Sequence, residues 1–270
     1  MLSVLDIFRI GIGPSSSHTV GPMRIARTFV RALRKAGKLD RTARITVELQ
    51  GSLALTGVGH GTVDASMLGL MGFAPDSTCP DEAAAALATV RSSHRLALWG
   101  EREIAFDPGA DIDLAGHIIP ELHPNGMQLS AFDGAGARLS RRTYYSTGGG
   151  FVASEAQLTR KPKGDRINTG TQVPHDFGSA AELLAACSET GLSIAELILA
   201  NEDSFRQRAD TLAGIDRIAA AMDQCIDRGL DQRGILPGGL KVARRAPDLW
   251  DKLSANPQSN EREQLFDWLN

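Results

Sequence analysis

Apolar residues in the first half of the chain recur with two different periods. After the serine-rich stretch, Ala26, Phe29, Val30 and Leu33 are spaced by three and four positions among basic residues from Arg24 to Lys35, and this spacing predicts an amphipathic helix. The segment ARITVELQG (43–51) instead alternates apolar and polar positions, which predicts a half-buried strand. The pattern predicts further helices in GVGHGTVDASMLGLMG (57–72) and PDEAAAALATVRSS (80–93), and further strands in LALWGEREIAF (96–106) and GMQLSAFDGAGARLSRRTYYS (126–146). The last of these is predicted to be a hairpin turned at Asp133-Gly134.

The second half of the chain shows helical periodicity alone. Two segments, SAAELLAACSETG (179–191) and SIAELILANED (193–203), begin with Ser-x-x-Glu, the pattern of a helix capping box. A long amphipathic helix is predicted from Ser204 to Arg228, closed by Gly229, and a final one in NEREQLFDWLN (260–270). Cys187 and Cys225 lie on apolar stripes of these helices, so both are predicted to pack in a core.

This change of pattern predicts two domains. Residues 1–154 are expected to form an N-terminal domain of the α/β (α+β) class with a mixed sheet. The polar stretch 155–178 reads as a linker, and residues 179–270 as the beginning of an all-α domain. A length of 270 residues with 42% hydrophobic content is sufficient for two modest domains.

Composition narrows the possible functions. A formal net charge of -3 and 5% aromatic residues provide neither a basic surface nor stacking platforms, so no nucleic-acid partner is expected. The sequence has no apolar run long enough for a membrane helix and no signal-peptide pattern, so no membrane partner is expected and the protein is predicted to be cytoplasmic. Three widely spaced cysteines argue against a disulfide framework.

Four loops share an unusual make-up. Each combines glycine or proline with hydroxyl, imidazole or amide side chains, and each adjoins a predicted helix or strand: GPSSSHT (13–19), GHGT (59–62), HPNGM (123–127) and STGGG (146–150). Glycine permits close backbone approach to a ligand, and a helix N-terminus favours an anion. The loops therefore suit a small polar anion such as an amino acid. They are equally typical of ordinary turns, with Ser17 or Thr19 acting only as a helix cap.

A series of long motifs runs in order from Ser3 to beyond Ala246. They are SVLDIFRIGIGPSSSHTVGPM, GSLALTG, GHGT, HPNGM, YYSTGGGF, ELLAACSETG, CIDRG and GILPGGLKVARRA. In these motifs the chain resembles the single-chain bacterial L-serine dehydratases (L-serine ammonia-lyases) of the iron–sulfur type. The resemblance implies a lyase of amino-acid catabolism that converts L-serine to pyruvate and ammonia without PLP. One iron of a 4Fe-4S cluster would act as Lewis acid on the serine hydroxyl.

The resemblance also implies which residues meet the substrate. His60 and His123 are the candidates for the catalytic base. The expected substrate-binding residues are Ser16, Ser17, His18, Thr19, Thr62, Asn125, Ser146, Gly148, Gly149 and Gly150. They would hold the carboxylate and amino group of L-serine and assist proton transfer from Cα.

Two departures from the family pattern qualify these expectations. Relatives commonly read GHGTD where this chain reads GHGTVD, so that Val63 takes the acidic position and Asp64 follows it. An aspartate that holds His60 or Thr62 is therefore expected to be displaced.

The second departure concerns length. Family chains are longer, and the cluster cysteines are expected beyond Asn270, so no metal ligand is assigned in this chain and no cluster is expected on it alone. The chain reads as an N-terminal portion that needs its C-terminal portion, in cis or in trans, and is inactive by itself; the whole enzyme is expected to be a homodimer. Two alternatives remain open: a non-catalytic amino-acid-binding regulatory module, and a histidine–zinc hydrolase.

Overall fold

The computed structural model describes residues 2–8, 10–160, 171–236 and 241–255. The helices are α1 Val4–Ile7, α2 Gly21–Lys35, α3 Ser52–Leu55, α4 Thr62–Leu70, α5 Pro80–Ser93, α6 Pro108–Asp111, α7 Glu155–Thr159, α8 Ala180–Thr190, α9 Ile194–Glu202, α10 Arg208–Asp231 and α11 Ala246–Ser254. The strands are β1 Arg44–Gln50, β2 Arg95–Leu98, β3 Arg102–Ala105, β4 Ile112–Ala115, β5 Gly126–Phe132, β6 Arg138–Gly148 and β7 Phe151–Ser154. A π-helical turn, Ser16–Val20, leads directly into α2.

A mixed five-stranded sheet confirms the predicted fold class. Its order is β4-β1-β5-β6-β7, in which β1 and β4 are parallel and the other neighbours are antiparallel. The long connection between β1 and β4 contains α3 to α6, as a parallel pairing requires. Strands β2 and β3 form a separate antiparallel pair.

One hydrophobic core lies between the helices and the sheet. Phe29 of α2, Ile45 and Leu49 of β1 and Met67 of α4 are fully buried. The alternation that predicted β1 is confirmed over most of the strand, because Ile45, Val47 and Leu49 are buried whereas Thr46 and Glu48 are half-buried. At its end Gln50, on the polar side of the pattern, is also buried. Helix α2 packs against both α4 and β6, and this packing brings the start of α2 close to the end of β6.

The predicted hairpin of β5 and β6 forms with a loop longer than two residues. Residues 133–137 make the connection, and the Asp133 N–H donates to the Ala137 carbonyl at 3.0 Å. The Asp133 carboxylate also accepts the backbone N–H groups of Ala135 and Ala137. The Asp133 side chain therefore supplies the hydrogen-bond acceptor for backbone N–H groups in a loop that is too wide to pair them with backbone carbonyls.

In the second half of the chain, several helix boundaries differ from the predicted ones. The predicted helix from Ser204 to Arg228 begins four residues later, because residues 203–206 form turns whose N–H groups donate to carbonyls of residues 199–202. The helix runs through Gly229 to Asp231 rather than ending at this glycine. Of the two predicted capping boxes, that of Ser193 and Glu196 is complete. At α8 the Ser179 hydroxyl accepts the Glu182 N–H, but the Glu182 carboxylate binds the Gly178 N–H instead.

The prediction that both cysteines of this half pack in a core is wrong. Cys225 is exposed and Cys187 is only half-buried. The apolar stripe that was expected to bury Cys225 faces solvent in the described residues, with Ile215 and Met222 exposed.

Contacts divide the chain into two compact units, Met1–Leu212 and Ala213–Asn270. The domain boundary at residues 155–178 stays a prediction, and part of that stretch, 161–170, lies outside the described residues, as does the helix predicted in 260–270. In the described chain no single helix is long and apolar enough to cross a membrane, although α8 and α9, bent by 94° to one another, together have the length and composition.

Candidate functional site

The serine loop forms the beginning of a helix through a π-helical turn. The cap is Ser15, whose hydroxyl accepts the His18 N–H at 3.1 Å; the expectation of Ser17 or Thr19 as cap is therefore wrong. The first intrahelical bond is donated by the Thr19 N–H to the Ser15 carbonyl. The N–H groups of Ser16 and Ser17 precede this bond and so have no partner within the helix. They are the donors that an anion at this helix start would meet.

The histidines of two separate loops lie side by side. The ring centroids of His18 and His60 are 5.0 Å apart, although 42 positions separate them in the sequence. His18 is held on both sides, since its Nδ1 is 2.9 Å from the Ser17 hydroxyl and its Nε2 is 3.0 Å from the Ser52 hydroxyl. Burial, and secondarily the nearby His60, lower the pKa of His18 below its ordinary value. The neutral ring is thereby favoured at neutral pH.

The tautomer of His60 follows from its hydrogen bond. Nδ1 lies 2.8 Å from the Thr56 carbonyl oxygen, and a carbonyl only accepts, so Nδ1 carries the proton. In the neutral ring Nε2 therefore has a free lone pair. His60 is half-buried, and the geometry makes it a positioned proton acceptor.

Two threonines connect the loops that carry this histidine pair. The Thr19 hydroxyl donates to the His60 carbonyl at 2.9 Å, and the Thr62 hydroxyl donates to the His18 carbonyl at 2.7 Å. Each threonine thus binds the backbone of the histidine in the other loop. Both are buried, so their hydroxyl protons stabilise the site, and the prediction that they contact substrate stays a prediction.

A third loop joins the site through Ser146 at the end of β6. Ser146 is fully buried, and its hydroxyl donates to the Ser17 carbonyl at 2.7 Å. The Asn125 side chain donates to the Ser146 carbonyl at 3.1 Å, and the Asn125 N–H donates to His123 Nδ1 at 3.2 Å. Since Nδ1 accepts, the neutral His123 ring carries its proton on Nε2. Burial lowers the pKa of His123.

The glycine cluster at residues 148–150 is a tight turn between β6 and β7. Gly148 pairs with Phe151, so Gly149 and Gly150 form a two-residue loop, and all three glycines have positive φ angles of 55° to 95°. Positive φ at both loop positions is the requirement of a type I′ hairpin turn, which explains the glycines without a ligand. A role in substrate binding stays a prediction for these three residues.

Sequence reasoning missed Ser52 and Thr56, which orient His18 and His60. Both lie in the motif GSLALTG, whose order gives no sign that its polar residues reach the other loops. Asp64, the displaced acid of GHGTVD, forms an ion pair with Arg91. Val63 packs against the core. The backbone carbonyl of Thr56 thus holds His60.

The side chains of the described residues offer no site for a metal ion or a cluster. They contain no group of three or more His, Cys, Asp or Glu side chains that could hold a metal ion. Cys79 and Cys225 are exposed, and Cys187 lies half-buried in α8. These side chains do not fit an iron–sulfur cluster, which is held by grouped thiolates.

Comparison with known proteins gives a consistent result. The model of the family described as serine dehydratase beta chain matches residues 3–157, more than half of the chain. L-serine dehydratase of Streptomyces coelicolor is 46% identical over 269 residues, which are 99% of this chain and 58% of the relative. L-serine dehydratase TdcG of Escherichia coli K12 is 42% identical, over 100% of this chain and 58% of the relative. The chain thus spans less than two thirds of the length of these curated relatives.

Proposed function

The chain belongs to the serine dehydratase beta-chain family, and on this premise we propose that it forms the substrate-binding part of an L-serine dehydratase. The whole protein would eliminate water from L-serine to give aminoacrylate, which hydrolyses to pyruvate and ammonia. The observation that carries the proposal is the His18–His60 pair, which lies at a helix start where the N–H groups of Ser16 and Ser17 precede the first intrahelical bond. A proton acceptor and an anion-binding helix start are the two groups that proton removal next to a carboxylate requires.

His60 is the proposed base for the Cα proton. Its Nε2 is the ring nitrogen left unprotonated by the bond to Thr56, while both ring nitrogens of His18 already face serine hydroxyls. His123 is the weaker candidate for the base, because its neutral tautomer has the free Nε2 protonated. His123 is proposed instead as a hydrogen-bond donor to the substrate, together with the Ser16 hydroxyl, which is exposed.

The expected 4Fe-4S cluster is proposed to be held by residues outside this chain. Two observations support this placement: the chain spans 58% of its longer relatives, and the described cysteines do not lie together. We therefore assign to this chain substrate binding and proton transfer alone. We further propose that this chain acts together with its C-terminal portion, either in cis or in trans. The whole enzyme is proposed to be a homodimer in the cytoplasm.

Substrate binding can be tested on the chain itself by isothermal titration with L-serine. His18→Gln is expected to weaken binding, because it disturbs the contacts of this side chain with the hydroxyl groups of Ser17 and Ser52. His117→Gln is the matched control, since His117 is exposed. Equal affinities of the two variants would contradict this location of the site.

Turnover can be tested on the whole protein with its C-terminal portion, purified anaerobically with iron and sulfide. Replacement of the base, His60→Gln, is expected to lower kcat for pyruvate formation by about 10²–10⁴-fold with little change in KM. Unchanged kcat would refute His60 as base. Binding of L-serine by an iron-loaded whole protein that forms no pyruvate would favour the regulatory module over the lyase.

A further inference from the structure

A buried carboxylate of the helical half holds the N-terminal segment of the chain. Glu202 is the last residue of α9, and its side chain is only 1% exposed. One carboxylate oxygen accepts the Val4 N–H at 2.8 Å, and the other accepts the Ser3 hydroxyl at 2.8 Å. Arg206, one helical turn further along the chain, also donates to this carboxylate. Both oxygens of Glu202 are therefore engaged, and they tie α1 to α9.

The first helix depends on this contact more than on apolar packing. Ser3 is fully buried and caps α1, because its hydroxyl accepts the Leu5 N–H at 3.2 Å. None of the four described residues of α1 is buried, and Ile7 is 62% exposed. The Val4 N–H belongs to the first turn, where the helix itself offers no acceptor. The carboxylate of Glu202 supplies that acceptor and so fixes where α1 begins.

The segment that follows α1 leads directly to the serine loop. Only six residues separate Val4 from Gly11. Gly11 and Gly13 lie against the π-helical turn, since an added Cβ would be 2.5 Å from Val20 Cγ2 at the first position and 2.4 Å from Thr19 Cγ2 at the second. This turn also contains Ser16, Ser17 and His18. A shift of residues 11–13 would therefore move the groups that form the histidine site.

The chemistry of the anchor favours a role in positioning. A buried ion pair contributes little to stability by itself, because the loss of hydration offsets the attraction between the charges. Its hydrogen bonds are directional, however, and they fix the groups that they join. At Glu202 the joined groups are the end of α9 and the start of α1.

From these contacts we infer that Glu202 is a positioning residue for the serine loop. It acts through α1 and residues 11–13 on the His18 ring and on the backbone N–H groups of Ser16 and Ser17. The consequence for substrate rests on the proposed function. The effect on the loop without ligand does not.

Nuclear magnetic resonance of the 270-residue chain without ligand tests the inference. Glu202→Gln keeps the size of the side chain but removes its charge and one acceptor oxygen. We expect the backbone amide resonances of Ser16 and Ser17 and the ring resonances of His18 to shift. Glu189→Gln, which changes an exposed carboxylate of α8, is the matched control and should leave them unchanged.

A second variant approaches the same contact from the other side. Ser3→Ala removes the hydroxyl that donates to Glu202, and it should shift the same resonances of the serine loop. It tests the inference even where Glu202→Gln does not fold. Changes confined to the amides of Val4 and Leu5 in either variant, with the resonances of Ser16, Ser17 and His18 unaltered, would overturn the inference, because a purely structural anchor gives that result.

Titration with L-serine separates this inference from the proposed function. Glu202→Gln is expected to bind L-serine about tenfold more weakly than the unaltered chain, because the groups that hold the substrate are misplaced. Equal affinities would overturn the positioning role and leave the histidine site in place. An unaltered chain that does not bind L-serine would contradict the proposed function, while the shifts at the serine loop would still decide the role of Glu202.

Discussion

Gly21 stands where the start of α2 meets the end of β6, and its replacement by alanine tests this contact. The residue has φ -58° and ψ -59°, angles that any residue adopts, so backbone freedom does not require glycine. Space does: an added Cβ would lie 2.7 Å from the Ser146 Cβ and closer still to its Oγ. Because Ser146 is fully buried, it has no room to withdraw.

The magnitude follows from three effects. Overpacking in a closed site costs about 1–3 kcal/mol. Displacement of Ser146 also breaks its hydrogen bond to the Ser17 carbonyl, and an unsatisfied buried group costs about 1–3 kcal/mol. The better helix propensity of alanine returns at most about 1 kcal/mol. We expect Gly21→Ala to lower the free energy of unfolding by about 2–4 kcal/mol.

Urea unfolding followed by circular dichroism measures this loss. Gly134→Ala is the matched control, since an added Cβ there meets nothing within 4 Å, and it should stay within about 0.5 kcal/mol of the unaltered chain. Ser146→Gly removes the obstructing atoms. The double variant Gly21→Ala/Ser146→Gly should therefore lose less free energy of unfolding than the two single variants together, by about 1 kcal/mol or more. A neutral Gly21→Ala, or additive losses, would refute this close approach.

Three further predictions concern the site and its support. Thr62→Val keeps the side-chain shape but removes the donor to the His18 carbonyl; it should cost about 1–3 kcal/mol in urea unfolding, and a loss below 0.5 kcal/mol would contradict the role of this bond. Burial lowers the pKa of both His18 and His123 in the folded chain, so the unfolded chain binds protons more readily and stability should fall as pH decreases below about 6.5. In the double variant His18→Gln/His123→Gln the urea midpoint should decrease less between pH 8 and pH 5 than in the unaltered chain. The same pH dependence in both proteins would contradict this assignment to the two histidines. Glu202→Ala removes a fully buried carboxylate that accepts the Ser3 hydroxyl and the Val4 N–H and should cost about 2–4 kcal/mol; a stability equal to that of the exposed control Glu189→Ala would show that this contact is dispensable.

Local pattern determined much of the fold. The alternation of Ile45, Val47 and Leu49 predicted β1, and all three side chains are buried as expected. The turn at Asp133 and the capping box at Ser193 were equally readable, because each depends on residues within five positions of one another. The family, too, could be inferred from the order of the motifs in the sequence.

The sequence predicted the ends of helices less accurately where those ends depend on contacts with residues distant in the chain. Three serines precede α2, and the π-helical turn makes Ser15 the cap. The register of that turn is set by packing, since Val20 is buried and Ser146 reaches the Ser17 carbonyl from β6. Gly229 was expected to end α10, but a glycine ends a helix only where the chain must adopt a left-handed conformation, and here it continues as helix.

The arrangement of the site was decided by tertiary structure alone. Composition singled out His18 and His60, yet only tertiary packing, with α2 against α4, brings their rings to 5.0 Å. Ser52 of α3, which packs on the sheet, lies within hydrogen-bond distance of His18 in the same way. Periodicity in a sequence reports which face of one element is apolar. Which two faces meet, and therefore which polar residues at their ends become neighbours, depends on the burial of the whole core.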